Sequence, residues 1–241
     1  MKNAVLFICI FYHSFGFSMN PSDELTKIKA IFESKASAVW VFTGDSITQG
    51  ALHTYGRRAY PEIFAERVRW EMHRGTDVVI NTAISGHTSQ NILDDFDQRV
   101  ARFQPNVVVL MIGTNDAGRL SLQQYESNLI QLIEKIRERD AIPVLLTPNP
   151  IITSQDQYRK DLEKYVIVLR DVCEKNHVIL VDNWAIWNTE LQEKYKNEAF
   201  QELLEDPIHP NGLGHQELAI SLFKALSIFD ADSSACGAMM K

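Results

Sequence analysis

The sequence predicts an α/β protein of three layers, α/β/α, around a central, mostly parallel five-stranded sheet. Three observations lead to it. Five short apolar runs, most of them rich in Val, Ile and Leu, recur along the chain. Stretches with apolar residues at helical spacing separate them, as the crossover units of a parallel sheet require. The polar clusters GDS, NTAISG, GTND and TPNP each follow one of those runs, and open α/β sheets collect chemistry outside the carboxyl ends of their strands.

The elements follow in order. Ala38–Phe42, with Val and aromatic residues, reads as a buried first strand. Tyr60–Arg74 puts Ile63, Phe64, Val68 and Met72 on one helical face, and Asp77–Ile80 is a second strand. Ser89–Phe103 is a second helix, with Ile92, Leu93, Phe96 and Val100 on one side. Val107–Ile112 is strand-like, Leu122–Arg139 a long amphipathic helix, and Ile142–Thr147 strand-like again. Gln157–Asn176 is a helix, Val178–Val181 a last strand, and Gly212–Phe229 a closing helix. The crossovers are expected to be right-handed. Residues 184–205 look helical but carry many charges, which predicts a surface excursion. The tail DADSSACGAMMK has no periodicity and predicts a loose end.

With 241 residues, residues 19–241 suit one domain with its core at about 38–229. The 45% hydrophobic and 23% charged fractions match soluble globular chains. Net charge is −7 and the basic residues are scattered, which argues against a nucleic-acid partner. Residues 1–18, MKNAVLFICIFYHSFGFS, stand apart: one lysine, an apolar run from Ala4 to Tyr12, then Gly16 and Ser18. That order is expected of a secretory signal cut near Ser18, and so of a secreted or periplasmic protein. The alternative is a cytoplasmic protein whose translation starts at Met19. The run is shorter than the roughly 20 residues an integral membrane span needs. Cys9, Cys173 and Cys236 show no metal spacing and read as unpaired thiols.

Each polar cluster has a chemical and a structural reading. Gly44 relieves the turn out of the first strand, and Ile47–Gly50 would begin a helical turn with free N–H groups beside the Ser46 hydroxyl. Ser46 is a nucleophile if a base takes its proton; otherwise Asp45 or Ser46 caps a helix. His209 is a suitable base near neutral pH. Asp206, three residues earlier in DPIHPNG, can reach Nδ1 of the same ring and fix its tautomer; the plain alternative is a loop histidine with a capping aspartate. Gly86 can bring a backbone N–H close to a ligand, and Asn115 offers a neutral amide donor, so both suit an oxyanion hole. Their structural readings are a helix-entry turn and an Asx-turn.

Taken together, GDSIT, ISG, GTND and DPIHPN occur in the order of the catalytic blocks of the SGNH, or GDSL-type, esterase and lipase family, which the chain resembles from about Val39 to about Ala225. GDSI in place of GDSL is a small departure, and the absence of GxSxG agrees with the family. The resemblance implies a flavodoxin-like SGNH hydrolase fold. It implies Ser46 as nucleophile, His209 as base and Asp206 as its orienting acid. The oxyanion would be held by the N–H groups of Ser46 and Gly86 and the Asn115 side chain. No cofactor and no metal is implied. MIGTND, the TP after the fourth strand and DPIHPNGLGH look most like the bacterial carbohydrate acetylesterases, implying a small ester or acetylated glycan as substrate. Within the same chemistry, a lysophospholipase or thioesterase acting on longer acyl chains is the alternative, and a non-catalytic carbohydrate-binding protein on the same fold a remote one. The oligomeric state is not legible.

His53, Tyr55 and His87 are candidate substrate contacts; equally, His53 and Tyr55 pack their loop and His87 shapes a helix entry. Asp45 and Asp116 are expected to bond neighbouring backbone. Trp184 and Trp187 read as core in preference to a sugar platform, and Arg137 and Arg139 as ordinary solvated helix charges.

Overall fold

The computed structural model describes residues 21–238; the proposed signal segment, residues 1–18, lies outside them. The strands β1 (Val39–Gly44), β2 (Val78–Asn81), β3 (Val107–Met111), β4 (Ile142–Leu146) and β5 (Ile179–Val181) form one sheet in the order β2-β1-β3-β4-β5. All four pairings are parallel. The chain therefore winds away from β1 in both directions, and the reversal falls between β1 and β3, where a ligand crevice is expected.

Alternation along the strands splits the core in two. Trp40, Phe42, Val109 and Val144 face one layer, against Tyr60, Phe64, Leu222 and Phe223. Val41, Leu110 and Leu145 face the other, against Phe96, Leu129, Ile133 and Leu169. Burial on both faces explains the continuous apolar strands. Phe42 packs against Tyr60 and Phe64 with ring centroids 5.6 and 5.1 Å apart, each pair contributing roughly 0.5–1.5 kcal/mol beyond its buried area. The strand that carries the GDS turn is thus held rigidly. Pro143 is tolerated because β5 begins to pair only at Val144.

Several boundaries differ from the sequence expectation. The helix expected over Tyr60–Arg74 runs from Tyr60 to Ala65 and then widens into a π-helical segment, Glu66–Glu71. There Arg67 turns its Nε to the Ile228 carbonyl. The helix expected over Ser89–Phe103 divides into Ser89–Asp94, Phe96–Arg99 and a 3₁₀ turn, Ala101–Phe103. Asp95 and Val100 leave helical geometry, with φ −103° and −128°. Arg99 donates to the carbonyls of Gly44 and Thr82. The helix expected from Gln157 starts at Leu162, after a 3₁₀ turn over Gln157–Arg159.

The core also extends past 38–229. An unforeseen helix, Pro21–Glu33, buries Ile28. The tail is not loose as far as Ala238: Ser233 and Ala235 bond the Glu71 carboxylate, and Cys236 is buried. Residues 184–205 fold as short helices, Asn183–Asn188, Glu190–Lys194 and Ala199–Leu203. They are more than a surface excursion, because Trp187, Leu191, Ala199 and Leu203 join the core. Arg137, read as a solvated charge, instead reaches the fully buried Glu24 at 2.8 Å. Arg139 pairs with Asp97 in the open, as expected of it. Cys173 and Cys236 are free thiols. No described helix is long and apolar enough to cross a membrane.

Candidate active site

The turn after β1 is set by backbone crowding. A Cβ on Gly44 would lie 2.3 Å from the Met111 carbonyl oxygen on β3, so only glycine lets the two strands end side by side. Asp45 then caps the short helix Ser46–Gln49, its carboxylate accepting from the Ile47 N–H at 3.0 Å. This fixes Ser46 at the first helical position, above the β1–β3 reversal. It is Asp45, not Ser46, that caps, so the serine hydroxyl is left for another partner.

That partner is His209, whose Nε2 lies 2.9 Å from Ser46 Oγ. His209 Nδ1 lies 2.8 Å from Asp206 Oδ2 and 3.0 Å from Oδ1. The short loop holding both residues is closed by a bridge between Leu204 and Pro210 and by the Glu205 N–H to His209 carbonyl bond. The β4 loop braces it from beneath: Ile152 N–H donates to the Pro207 carbonyl, and Asn149 Nδ2 to the Ile208 carbonyl. Asp206 Oδ1 accepts the N–H groups of Ile208 and His209, both at 2.8 Å. The spacing of three residues thus yields an Asx-turn that aims one carboxylate oxygen at backbone and the other at the ring.

Gly86 adopts φ +79°, a left-handed conformation that favours glycine. Its N–H, like that of Ser46, donates to no protein acceptor among the described residues. Asn115 is buried, and its Nδ2 donates to the His87 carbonyl at 3.1 Å and, at the long limit of 3.5 Å, to Asp45 Oδ2. The amide therefore bridges the sequence neighbours of Ser46 and Gly86. Its orientation is fixed from behind, because Arg159 Nη2 donates to Asn115 Oδ1 at 3.0 Å while Nη1 holds Asp156 at 2.6 Å. Arg159 escaped sequence reasoning because it sat inside a stretch read as ordinary amphipathic helix.

The charges follow from burial. Desolvation lowers the His209 pKa and the Asp206 carboxylate raises it; burial wins, so the ring titrates below the ordinary value of 6.5 and is neutral at pH 7. Burial raises Asp206, but the backbone and ring N–H groups outweigh it and hold the carboxyl below its ordinary value. Asp45 is pushed up to about 7 by burial, with the nearby Asp116 adding to the rise. Asp116, itself raised to about 6 by burial, accepts from the Ser89 N–H at 2.9 Å and from its hydroxyl.

His215, on the helix Gly212–Ala225, is buried and accepts the Tyr60 N–H on Nδ1 at 3.3 Å. Burial, and to a lesser degree the neighbouring His209 and His53, depresses its pKa to about 3. Its folded pKa is below its unfolded value near 6.5, so its stabilising contribution is complete above that pH and is lost as pH falls toward 3. His215→Asn keeps an acceptor but not the titration. The stability gap between wild type and this variant, from urea midpoints, is expected to narrow by about 3 kcal/mol between pH near 6.5 and about 4. A gap that does not change with pH would contradict this.

The other candidates fall in different places. His53 lies against His209, the two rings parallel with centroids 3.8 Å apart. Tyr55 is exposed and donates its hydroxyl to Glu205. The His87 ring pairs with Arg99 Nη1 at 2.9 Å, and burial, with the Arg99 charge second, lowers its pKa. Trp187 is core, as expected. Among the described residues, His53, Asp206 and His209 have ligand-type atoms within 4.8 Å of one another and could hold a cation. In the arrangement seen, the Nδ1 of His209 is already given to Asp206.

A hydroxyl, an imidazole and a carboxylate in one line, above the reversal of a parallel sheet, are the equipment of a carboxylic ester hydrolase, and that is the class of this chain. More closely, residues 42–217 match the model of the GDSL-like lipase/acylhydrolase family, and the chain belongs to that family. It is 30% identical over 168 residues to YqeF, an uncharacterised lipoprotein of Bacillus subtilis, covering 58% of this chain and 68% of that one. It is 29% identical over 210 residues to an acetylxylan esterase of Geobacillus stearothermophilus, covering 77% and 92%. Among solved structures, a variant of an acetyl-xylooligosaccharide esterase from the same organism superimposes with a TM-score of 0.67 at 23% identity. That match covers 80% of this chain and 96% of the other, and it establishes the shared fold.

Proposed function

We propose that the protein removes acetyl or other short acyl groups from carbohydrate, through an acyl-enzyme on Ser46. The reading is carried by the unbroken line from Ser46 Oγ to His209 Nε2 at 2.9 Å and from His209 Nδ1 to Asp206 Oδ2 at 2.8 Å. His209 takes the Ser46 proton as Oγ attacks the ester carbonyl. The tetrahedral oxyanion is received by the N–H groups of Ser46 and Gly86 and by Asn115 Nδ2, whose long bond to Asp45 is the one it gives up. Asp206 stabilises the imidazolium, which then protonates the leaving sugar oxygen as the C–O bond breaks. Water, deprotonated by His209, attacks the acyl-enzyme and releases acetate and Ser46. The acyl and alcohol classes rest on the likeness to the acetylxylan esterase. The lipoprotein relative supports export, which residues 1–18 would direct.

The test is acetate release from acetylated xylo-oligosaccharides, run beside a series of 4-nitrophenyl esters of increasing acyl length. We expect acetate release, and a kcat/KM that falls at least about tenfold between the acetyl and octanoyl esters, as a short acyl pocket dictates. A profile rising toward long chains, with no acetate released, would replace this reading with a lysophospholipase or thioesterase.

A further inference from the structure

His53 belongs to the loop between the Ser46 turn and the Tyr60–Ala65 helix, and the reaction as written does not use it. Its ring lies flat on that of His209, with centroids 3.8 Å apart and planes within 3°. Its Nδ1 is 3.4 Å from Asp206 Oδ2, the oxygen that His209 Nδ1 meets at 2.8 Å. Both rings are largely covered, with side chains 22% and 17% exposed. Two parallel imidazoles thus share one carboxylate, and only one of them reaches the serine.

We propose that His53 is a positioning residue for the base: it holds the His209 ring in the plane that keeps Nε2 on Ser46. This rests on the acyl-enzyme reading above. The torsion that turns an imidazole about its bond to Cβ is broad and only weakly confined by its own rotamers. A flat neighbour on one face confines it, and the Asp206 carboxylate confines the edge. A His209 ring turned out of that plane would carry Nε2 off its 2.9 Å approach to Ser46 Oγ, and a base must lie within hydrogen-bond reach of the proton it takes.

The experiment compares kcat and KM of wild type, His53→Phe and His53→Ala with 4-nitrophenyl acetate on the alkaline plateau. Labelling of Ser46 by a fluorophosphonate on the alkaline plateau is measured in parallel. On the plateau, kcat should fall about tenfold in His53→Ala, and most of it should return in His53→Phe, where the flat face is restored; KM should stay within about twofold. A kcat unchanged in His53→Ala, or a loss that His53→Phe does not restore, overturns the proposal. So does a rise in KM with kcat intact, which would make His53 a substrate contact. His53→Phe keeps the ring volume, so it serves if the alanine variant fails to fold. Failure of wild type to take the fluorophosphonate would instead overturn the acyl-enzyme reading, whatever the rates of the variants.

Discussion

Ser46→Ala is expected to lower kcat for 4-nitrophenyl acetate by on the order of 10⁵-fold or more, with the melting temperature almost unchanged. Removing the nucleophile of a serine hydrolase costs about as much as removing its whole triad, because the groups act as one unit. Only uncatalysed attack by water, helped by whatever the oxyanion donors still hold, remains. The fold should be indifferent for a local reason. The turn is capped by the Asp45 carboxylate, and Gly44 sets the close approach of β1 to β3. The Ser46 hydroxyl contributes one hydrogen bond, to His209, worth about 0.5–1.5 kcal/mol net. His209→Ala should be nearly as slow, and the double variant hardly slower than either. Stopped assays with purified proteins and a thermal melt decide it. Turnover near wild type in the serine variant would end the acyl-enzyme reading.

Much of this arrangement was legible in the chain, and the reasons differ by level. The strands were readable because a parallel sheet is buried on both faces, so β3 and β4 appear as unbroken apolar runs. The clusters GDS, GTND and DPIH stood out because each needs short polar residues or glycine at fixed offsets, which is a local requirement. What local pattern could not supply was anything decided by a distant partner. The Pro21–Glu33 helix has Leu25, Ile28, Ile31 and Phe32 at helical spacing, but its charges hid them, and only packing shows that Glu24 is buried against Arg137. The break at Asp95 has its sense in Arg99, which reaches the Gly44 and Thr82 carbonyls beside the GDS turn. Arg159 and His53 matter for the same reason: the first fixes the Asn115 amide from 44 residues away, the second lies on a ring 156 positions on. Sequence spacing carries the reacting groups, while the side chains that hold them still are chosen by the fold.

That division explains why Asp206→Asn should be the most informative substitution at the site, with kcat reduced by on the order of 10³–10⁴-fold. The new amide is not free to choose its orientation. The N–H groups of Ile208 and His209 both donate to Oδ1 at 2.8 Å, so the amide oxygen must stay there. Its NH₂ then takes the place of Oδ2, 2.8 Å from His209 Nδ1 and 3.4 Å from His53 Nδ1. A donor facing Nδ1 makes that nitrogen the acceptor and puts the ring proton on Nε2, pointing at Ser46. The His209 ring is then in the wrong tautomer for the proposed base, with no lone pair for the hydroxyl. Asp206→Ala removes the carboxylate but imposes no tautomer, since the ring is free to bind water at Nδ1. The alanine variant should therefore be faster than the asparagine variant, although asparagine is the closer match in shape. Steady-state kcat for both, with His209 ring-nitrogen NMR to read the tautomer, checks the ordering. An asparagine variant faster than the alanine one, or one retaining the proton on Nδ1, would mean that Asp206 acts through its charge alone and that the Asx-turn places nothing.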